Sequence, residues 1–219
     1  MHIVNYDEIA ISKKRIIATG LIESAINTMD PEKAISKAFN LNLSDYGHIY
    51  AIGFGKASYG MYSGIREKIL GNLSYAGIIV PEDESHQNEF PELSIYKGTH
   101  PLISNESVES SRKLISHLNN LKEGDLVIVL ISGGGSSLFE IPEDGIDAND
   151  IMKISKEIMN NDGDIFVLNH IRSCLSSVKN GKLAKMLYPA TVVSYIISDV
   201  IYNDLNVIAS GPLAMPQYD

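Results

Sequence analysis

The residues best suited to chemistry sit where an apolar run meets glycine. Residues 124–142 read GDLVIVLISGGGSSLFEIP. Six apolar residues, Leu126 to Ile131, lead straight into Ser132-Gly133-Gly134-Gly135-Ser136-Ser137. A short apolar run bounded by glycine reads as a buried strand of a parallel sheet. Glycine has no Cβ, so the backbone after that strand can turn sharply and come close to a ligand. Free N–H groups of such a turn, with a helix N-terminus behind them, attract anions. The hydroxyls of Ser132, Ser136 and Ser137 add donors for phosphate or carboxylate oxygens. A tight strand-to-helix turn with no ligand has the same local pattern.

Further groups carry chemistry of their own. Gly53-Phe54-Gly55-Lys56-Ala57-Ser58 has the spacing G-x-G-x-x-S, with Ser58 in the third glycine position of the dinucleotide fingerprint. Lys56 departs from that fingerprint. A cation at the turn suits phosphate charge, and a solvated turn lysine is its other reading. Glu82 and Asp83 follow the next strand, roughly where a ribose-binding carboxylate falls. In Gly98-Thr99-His100-Pro101-Leu102, His100 titrates near neutrality; it either serves a substrate or shapes the loop. Arg172, Ser176 and Lys179 recur at i, i+4 and i+7 beside an apolar stripe of Leu168, Ile171, Leu175 and Val178. One helix could thus aim both cations into a cleft. Arginine suits carboxylate or phosphate through its two-pronged donors. Asp199 follows a strand end, where ligands collect in open α/β sheets. It is a candidate to hold Mg²⁺, to accept a proton from a substrate hydroxyl, or to cap a turn. Cys174 has no activating neighbour in the sequence and reads as structural.

These groups need elements to position them. Residues 7–28 carry Ile9, Ile16, Ile17, Leu21 and Ile26 at helical spacing and read as one long helix. Asp30-Pro31 reads as an N-cap followed by proline at the first helical position, opening a helix to about Phe39. Strands are predicted over Ile49–Phe54, Ala76–Val80, Ser94–Lys97, from Leu126, and over Thr191–Ser198. Helices are predicted over Lys56–Leu70, Ser104–Asn120, Asp147–Asn160, Asp164–Val178 and Gly181–Leu187. The alternation predicts an α/β fold: a three-layer, Rossmann-like domain with a mostly parallel sheet. The closing IASGPLAMPQYD is turn-like, where a doubly wound domain is expected to continue.

Bulk properties narrow the partners. The chain has 219 residues, 44% of them hydrophobic, as expected of a protein that buries a core. A net charge of −9 argues against a general nucleic-acid binder, so an anionic substrate must be met by local cations, backbone N–H groups or a metal. Cys174 is the single cysteine, which rules out an intrachain disulfide and fits a reducing compartment. No apolar run approaches the length that spans a bilayer, and the N-terminus lacks a signal pattern; a cytoplasmic protein is expected.

In order along the chain, GFGKAS (53–58), GTHPL (98–102), LISGGGSSLFEIP (130–142), NHIRSCLSSVKNGKLA (169–184) and SDVIYNDLNVIASGPL (198–213) resemble the type II glycerate kinases, the family with a MOFRL-type C-terminal domain. The resemblance implies ATP- and Mg²⁺-dependent phosphorylation of glycerate to 2-phosphoglycerate. It implies Lys56, Arg172 and Asp199 as catalytic groups, with Asp199 nearest the metal. Ser132, Gly133, Gly134, Gly135, Ser136, Ser137, Lys179 and His100 would bind substrate or phosphate. Glycerate and ATP would be the partners, with no nucleic acid and no membrane. Family members usually carry Arg-Lys-His-Leu-Ser and Lys-Gly-Gly where this chain has Arg172-Ser173-Cys174-Leu175-Ser176 and Lys179-Asn180-Gly181. They are also about twice as long. The chain is therefore expected to be the N-terminal α/β domain without its MOFRL-type partner, poorly active alone, and a candidate for self-association.

Two other readings share parts of the pattern. Sugar-isomerase (SIS) domains, which bind phosphosugars, also place a G-x-G-K-S-like turn after one strand and a serine-rich turn after another, though typically as Ser-x-Ser-Gly-x-Thr. A nicotinamide-dependent oxidoreductase would use the first turn for pyrophosphate, where Lys56 is out of place and no hydride-transfer constellation is visible.

Overall fold

Runs of valine, isoleucine and leucine set the sheet in the computed structural model. The structure describes residues 3–85, 89–161 and 165–215. Its strands are β1 (His48–Phe54), β2 (Leu73–Pro81), β3 (Leu93–Gly98), β4 (Asp125–Ser132) and β5 (Thr191–Ile197). They lie in the order β3-β2-β1-β4-β5, and every neighbouring pair is parallel. The chain enters at the centre, walks out to β3, then crosses back to β4 on the other side of β1. Strand order reverses between β1 and β4, where an open α/β sheet leaves a crevice at its carboxyl end. Phe54 pairs with Ile131 in register, so the loops after β1 and β4 leave the sheet side by side.

The described α-helices are α1 (Tyr6–Ile9), α2 (Lys13–Thr28), α3 (Pro31–Ala38), α4 (Ser58–Ile69), α5 (Asn105–Ser116), α6 (Gly135–Leu138), α7 (Ala148–Asn160), α8 (Ile165–Cys174) and α9 (Lys182–Leu187). All of β4 is buried, and alternate residues serve opposite faces. Leu126, Ile128 and Leu130 pack with Ile35 of α3 and with Met61, Tyr62 and Ile65 of α4. Val127, Val129 and Ile131 pack with Leu114 of α5, Leu138 of α6 and Leu183 and Leu187 of α9. Helices on both faces of a parallel sheet make the expected three-layer α/β fold. Asp30, Ser104 and Asp147 cap α3, α5 and α7 through their side chains, and Asp147 forms a capping box with Asp150.

Three expected helices come out shorter. The predicted Ser104–Asn120 helix ends at Ser116. The predicted 7–28 helix breaks after Ile9, because the Ser12 side chain accepts from Arg15 N at 3.4 Å and starts α2 afresh. The predicted Asp164–Val178 helix ends at Cys174, and Asp164 lies outside the described residues. Past Cys174 the backbone pairs with another segment: Ser177 N donates to Ile141 O at 2.7 Å and Glu143 N to Leu175 O at 2.9 Å. That short bridge, with Ser176 opposite Pro142, replaces the last helical turn. α2 itself buries only Thr19 and leaves Ile16, Ile17, Leu21, Ile22 and Ile26 exposed. Among the described residues no helix is long and apolar enough to cross a membrane.

Candidate active site

At the β1/β4 crevice the two glycine-containing loops are stitched together. Gly55 has φ +121°, and a Cβ there would lie 2.6 Å from the Ser132 carbonyl oxygen, so only glycine fits. Lys56 N donates to Gly133 O at 3.0 Å, and Ala57 N donates to Ser132 Oγ at 2.9 Å. Gly134, at φ +85°, then turns the chain left-handedly into α6, which is a single turn. The loop thus lies between a parallel strand and a helix, as the sequence leads one to expect, and that helix is four residues long.

The loop serines are largely occupied within the protein. Ser132 and Ser137 are buried; Ser132 Oγ accepts from Ala57, and Ser137 Oγ donates to Gly134 O at 3.2 Å. Ser136 Oγ sits 3.2 Å from Ser210 Oγ. The open part of the loop is therefore the backbone of Gly133 and Gly134, and two side chains stand over it. A Cβ on Gly133 would lie 2.5 Å from Asp199 Oδ2, and one on Gly134 would lie 2.9 Å from His100 Cδ2. Absence of Cβ atoms is what lets Asp199 and His100 approach.

Electrostatics ties Lys56 and Asp83 to the same spot. His100 has its pKa lowered, first by desolvation of the ring and then by the positive charge of Lys56; Asp83 and Asp199 pull it the other way. Lys56, Asp83, His100 and Asp199 are all exposed, so the site is shallow. Gly135 is closed off, because a Cβ there would meet Ala209 Cβ at 3.0 Å and the Phe54 ring at 3.2 Å.

Arg172 and Lys179 lie elsewhere. Arg172 lines a cavity of about 820 Å³ bounded by Pro101–Ile103, by Met152 and Lys156 of α7, and by Leu168 of α8. The 100–103 segment connects the two places, with His100 on the glycine loop and Pro101 to Ile103 on the cavity. Burial lowers the Arg172 pKa and the charge of Glu140 opposes that shift, while Arg172 Nε is buried without a hydrogen-bond partner among the described residues. Lys179 is only 1% exposed. Its Nζ lies 3.2 Å from Oε2 of the fully buried Glu140 and donates to Ser136 O at 2.8 Å and Phe139 O at 3.3 Å. The expected line of Arg172 and Lys179 on one helix is corrected accordingly: α8 stops before Ser176, and Lys179 turns inward beneath the loop. Sequence reading also passed over Glu140, although an acidic residue between Phe139 and Ile141 in an apolar run is a signal for a buried, paired charge.

The family model described as "Domain of unknown function (DUF4147)" matches residues 17–219. The chain belongs to this family. DUF4147 is the N-terminal domain of MOFRL-type glycerate kinases, and the match contains every residue of the site. A Picrophilus torridus protein named glycerate 2-kinase is 55% identical over 218 residues, covering 99% of this chain and 52% of its own length. An Agrobacterium vitis protein named putative hydroxypyruvate reductase is 36% identical over 166 residues, 76% of this chain and 43% of its own length. The crystal structure of a Thermotoga maritima glycerate kinase superposes with a TM-score of 0.80 at 29% identity, covering 91% of this chain and 47% of that one. This DUF4147 chain thus spans about half the length of the curated relatives it matches.

Proposed function

We propose that this chain supplies the substrate- and phosphoryl-handling half of an ATP-dependent glycerate 2-kinase. The observation that carries the reading is the convergence of Lys56, His100 and Asp199 on the half-buried Gly133–Gly134 backbone. The names of the Picrophilus and Thermotoga relatives supply the substrate.

Glycerate offers a carboxylate and two hydroxyls. The Gly133–Gly134 backbone and the Lys56 ammonium suit its negative charge and that of an arriving phosphoryl group. Asp199 is the acceptor for the proton of the 2-hydroxyl as its oxygen attacks the γ-phosphorus, while the bond to the β-phosphate oxygen breaks and ADP leaves. With its lowered pKa, His100 stays neutral at pH 7 and orients an oxygen without adding charge. Among the described residues no three acidic, histidine or cysteine groups form a metal cage. Asp199 is a single carboxylate, which fits Mg²⁺ as a nucleotide carries it, held by one or two carboxylates and the phosphates. When bound, the ion would neutralise phosphate charge. Arg172 belongs to the neighbouring cavity in this reading. The remaining length of the relatives would provide the other wall of the cleft, and a reducing cytoplasm suits the lone Cys174.

Incubating the purified chain with D-glycerate, ATP and Mg²⁺, with coupled detection of ADP and phosphorus NMR of the product, tests the proposal. The expected product is 2-phosphoglycerate, formed slowly and lost in Lys56→Met. Stabilisation by sugar phosphates and not by glycerate in a thermal-shift screen would overturn the reading. So would NADH oxidation by hydroxypyruvate, the chemistry in the Agrobacterium relative's name.

A further inference from the structure

We propose that Lys179 is a positioning residue for the glycine loop: its buried ammonium, paired with Glu140, holds the carbonyls that end the α6 turn and so sets the substrate-binding backbone from beneath. A lysine at 1% exposure beside a glutamate at 0% is costly to bury, so the ammonium should be fully used. Two of its donors are: one faces Ser136 O at 2.8 Å and one Phe139 O at 3.3 Å, while Glu140 Oε2, 3.2 Å away, is its ion-pair partner. One carbonyl lies within the single turn of α6 and the other at its C-cap, and a turn that short does not hold itself. The loop above it consists of glycines, whose backbone freedom must be restrained for a defined anion site.

The strap has a second strand of support. Asn180 N donates to Ser210 O at 3.1 Å, Gly181 N to Gly211 O at 2.8 Å, and Ala184 N to Pro212 O at 3.3 Å. Ser210 in turn touches Ser136, so the 179–184 turn and the 210–212 segment grip the glycine loop from two directions. Glu140 is itself tethered, since its N–H donates to Ser111 Oγ at 3.0 Å. Burial lowers the Lys179 pKa while Glu140 raises it, consistent with an ammonium whose charge depends on its partner. Lys179 has no route to solvent and does not meet substrate. It acts through the Ser136 and Phe139 carbonyls.

The effect on glycerate rests on the kinase reading, whereas the effect on the loop does not, and the experiment separates them. Lys179→Met, Glu140→Gln and the double variant are compared by thermal midpoint, by hydrogen exchange of the Ser137–Phe139 amides, and by glycerate calorimetry. Lys179→Met alone strands the Glu140 charge and should lower the midpoint. The double variant should recover much of that loss, because no charge is left buried alone. Its Ser137–Phe139 amides should still exchange fast, with β4 amides unchanged, and its glycerate affinity should stay weaker on the order of 10–100-fold. Glu140→Gln, which keeps both carbonyl contacts, should exchange slowly. Recovery of loop protection together with midpoint in the double variant would overturn the proposal and leave the pair as core packing alone. Fast loop exchange in a protein whose parent binds no glycerate would uphold the strap and sink the kinase reading.

Discussion

Lys56 and His100 act on each other through their charges, and that coupling is measurable. Lys56 helps hold the His100 pKa below its ordinary value, while Asp83 and Asp199 raise it. Proton-detected titration of His100 should therefore show the pKa rising in Lys56→Met and falling further in Asp199→Asn. Unchanged values in both would separate these groups in space. Since the folded pKa is below the ordinary 6.5, the unfolded chain binds more protons on His100 in that range. The stability that His100 contributes is present above 6.5 and is lost as the pH falls through the lower folded value. His100→Gln should flatten that part of a stability–pH curve. Lys56 and Arg172, equals on sequence grounds, should part company. Lys56 is exposed, so Lys56→Met should cut ADP release by about 10²–10³-fold with the melting curve unmoved. Arg172→Met removes a cation beside buried Glu140 and should lower stability by about 1–3 kcal/mol; an unmoved midpoint would return Arg172 to the class of free site cations. The placement of Lys56, His100 and Asp199 at one sheet edge was legible, because exposed groups at strand ends need only their strand. It was not for Lys179, whose inward turn follows a bridge between two distant segments, at Pro142 and Ser176.

At the scale of elements, the glycines divide by what they clear. Gly55 clears backbone at a positive φ, so Gly55→Ala should destabilise the chain by about 1–3 kcal/mol or more and prise the β1 and β4 loops apart. Gly133 clears the Asp199 carboxylate, a side chain that can swing away. Gly133→Ala should leave the denaturation midpoint close to the parent's and still weaken glycerate binding sharply. Equal losses of stability in the two variants would contradict this division. The strands were legible because apolar runs of the right length are strands in a parallel sheet whatever their neighbours. Helix ends were legible where a cap is local, as at Asp30, Ser104 and Asp147. They failed at Ser12, where a serine inside a helical pattern took the backbone for itself, and past Cys174, where a bridge to residues 141–143 outbid one more turn.

For the molecule as a whole, the three-layer fold followed from the order of elements, and the strand order then fixed which loops meet. The site it assembles is shallow, and phosphoryl transfer needs water kept out. We expect the chain alone to release ADP well below the ordinary range of about 1–10³ per second; a rate inside that range would show that no second wall is needed. α2 points the same way from the opposite side of the problem. Ile16, Ile17, Leu21, Ile22 and Ile26 are spread around most of its circumference at about 100° per residue, and all face solvent. Large apolar side chains normally face an interior. Each hydrated isoleucine on α2 is thus stored adhesion, about 25 cal/mol for every Å² that something else covers. Sedimentation of the chain at rising concentration should show it sticking to itself, and Ile17→Lys with Leu21→Lys should keep it monodisperse.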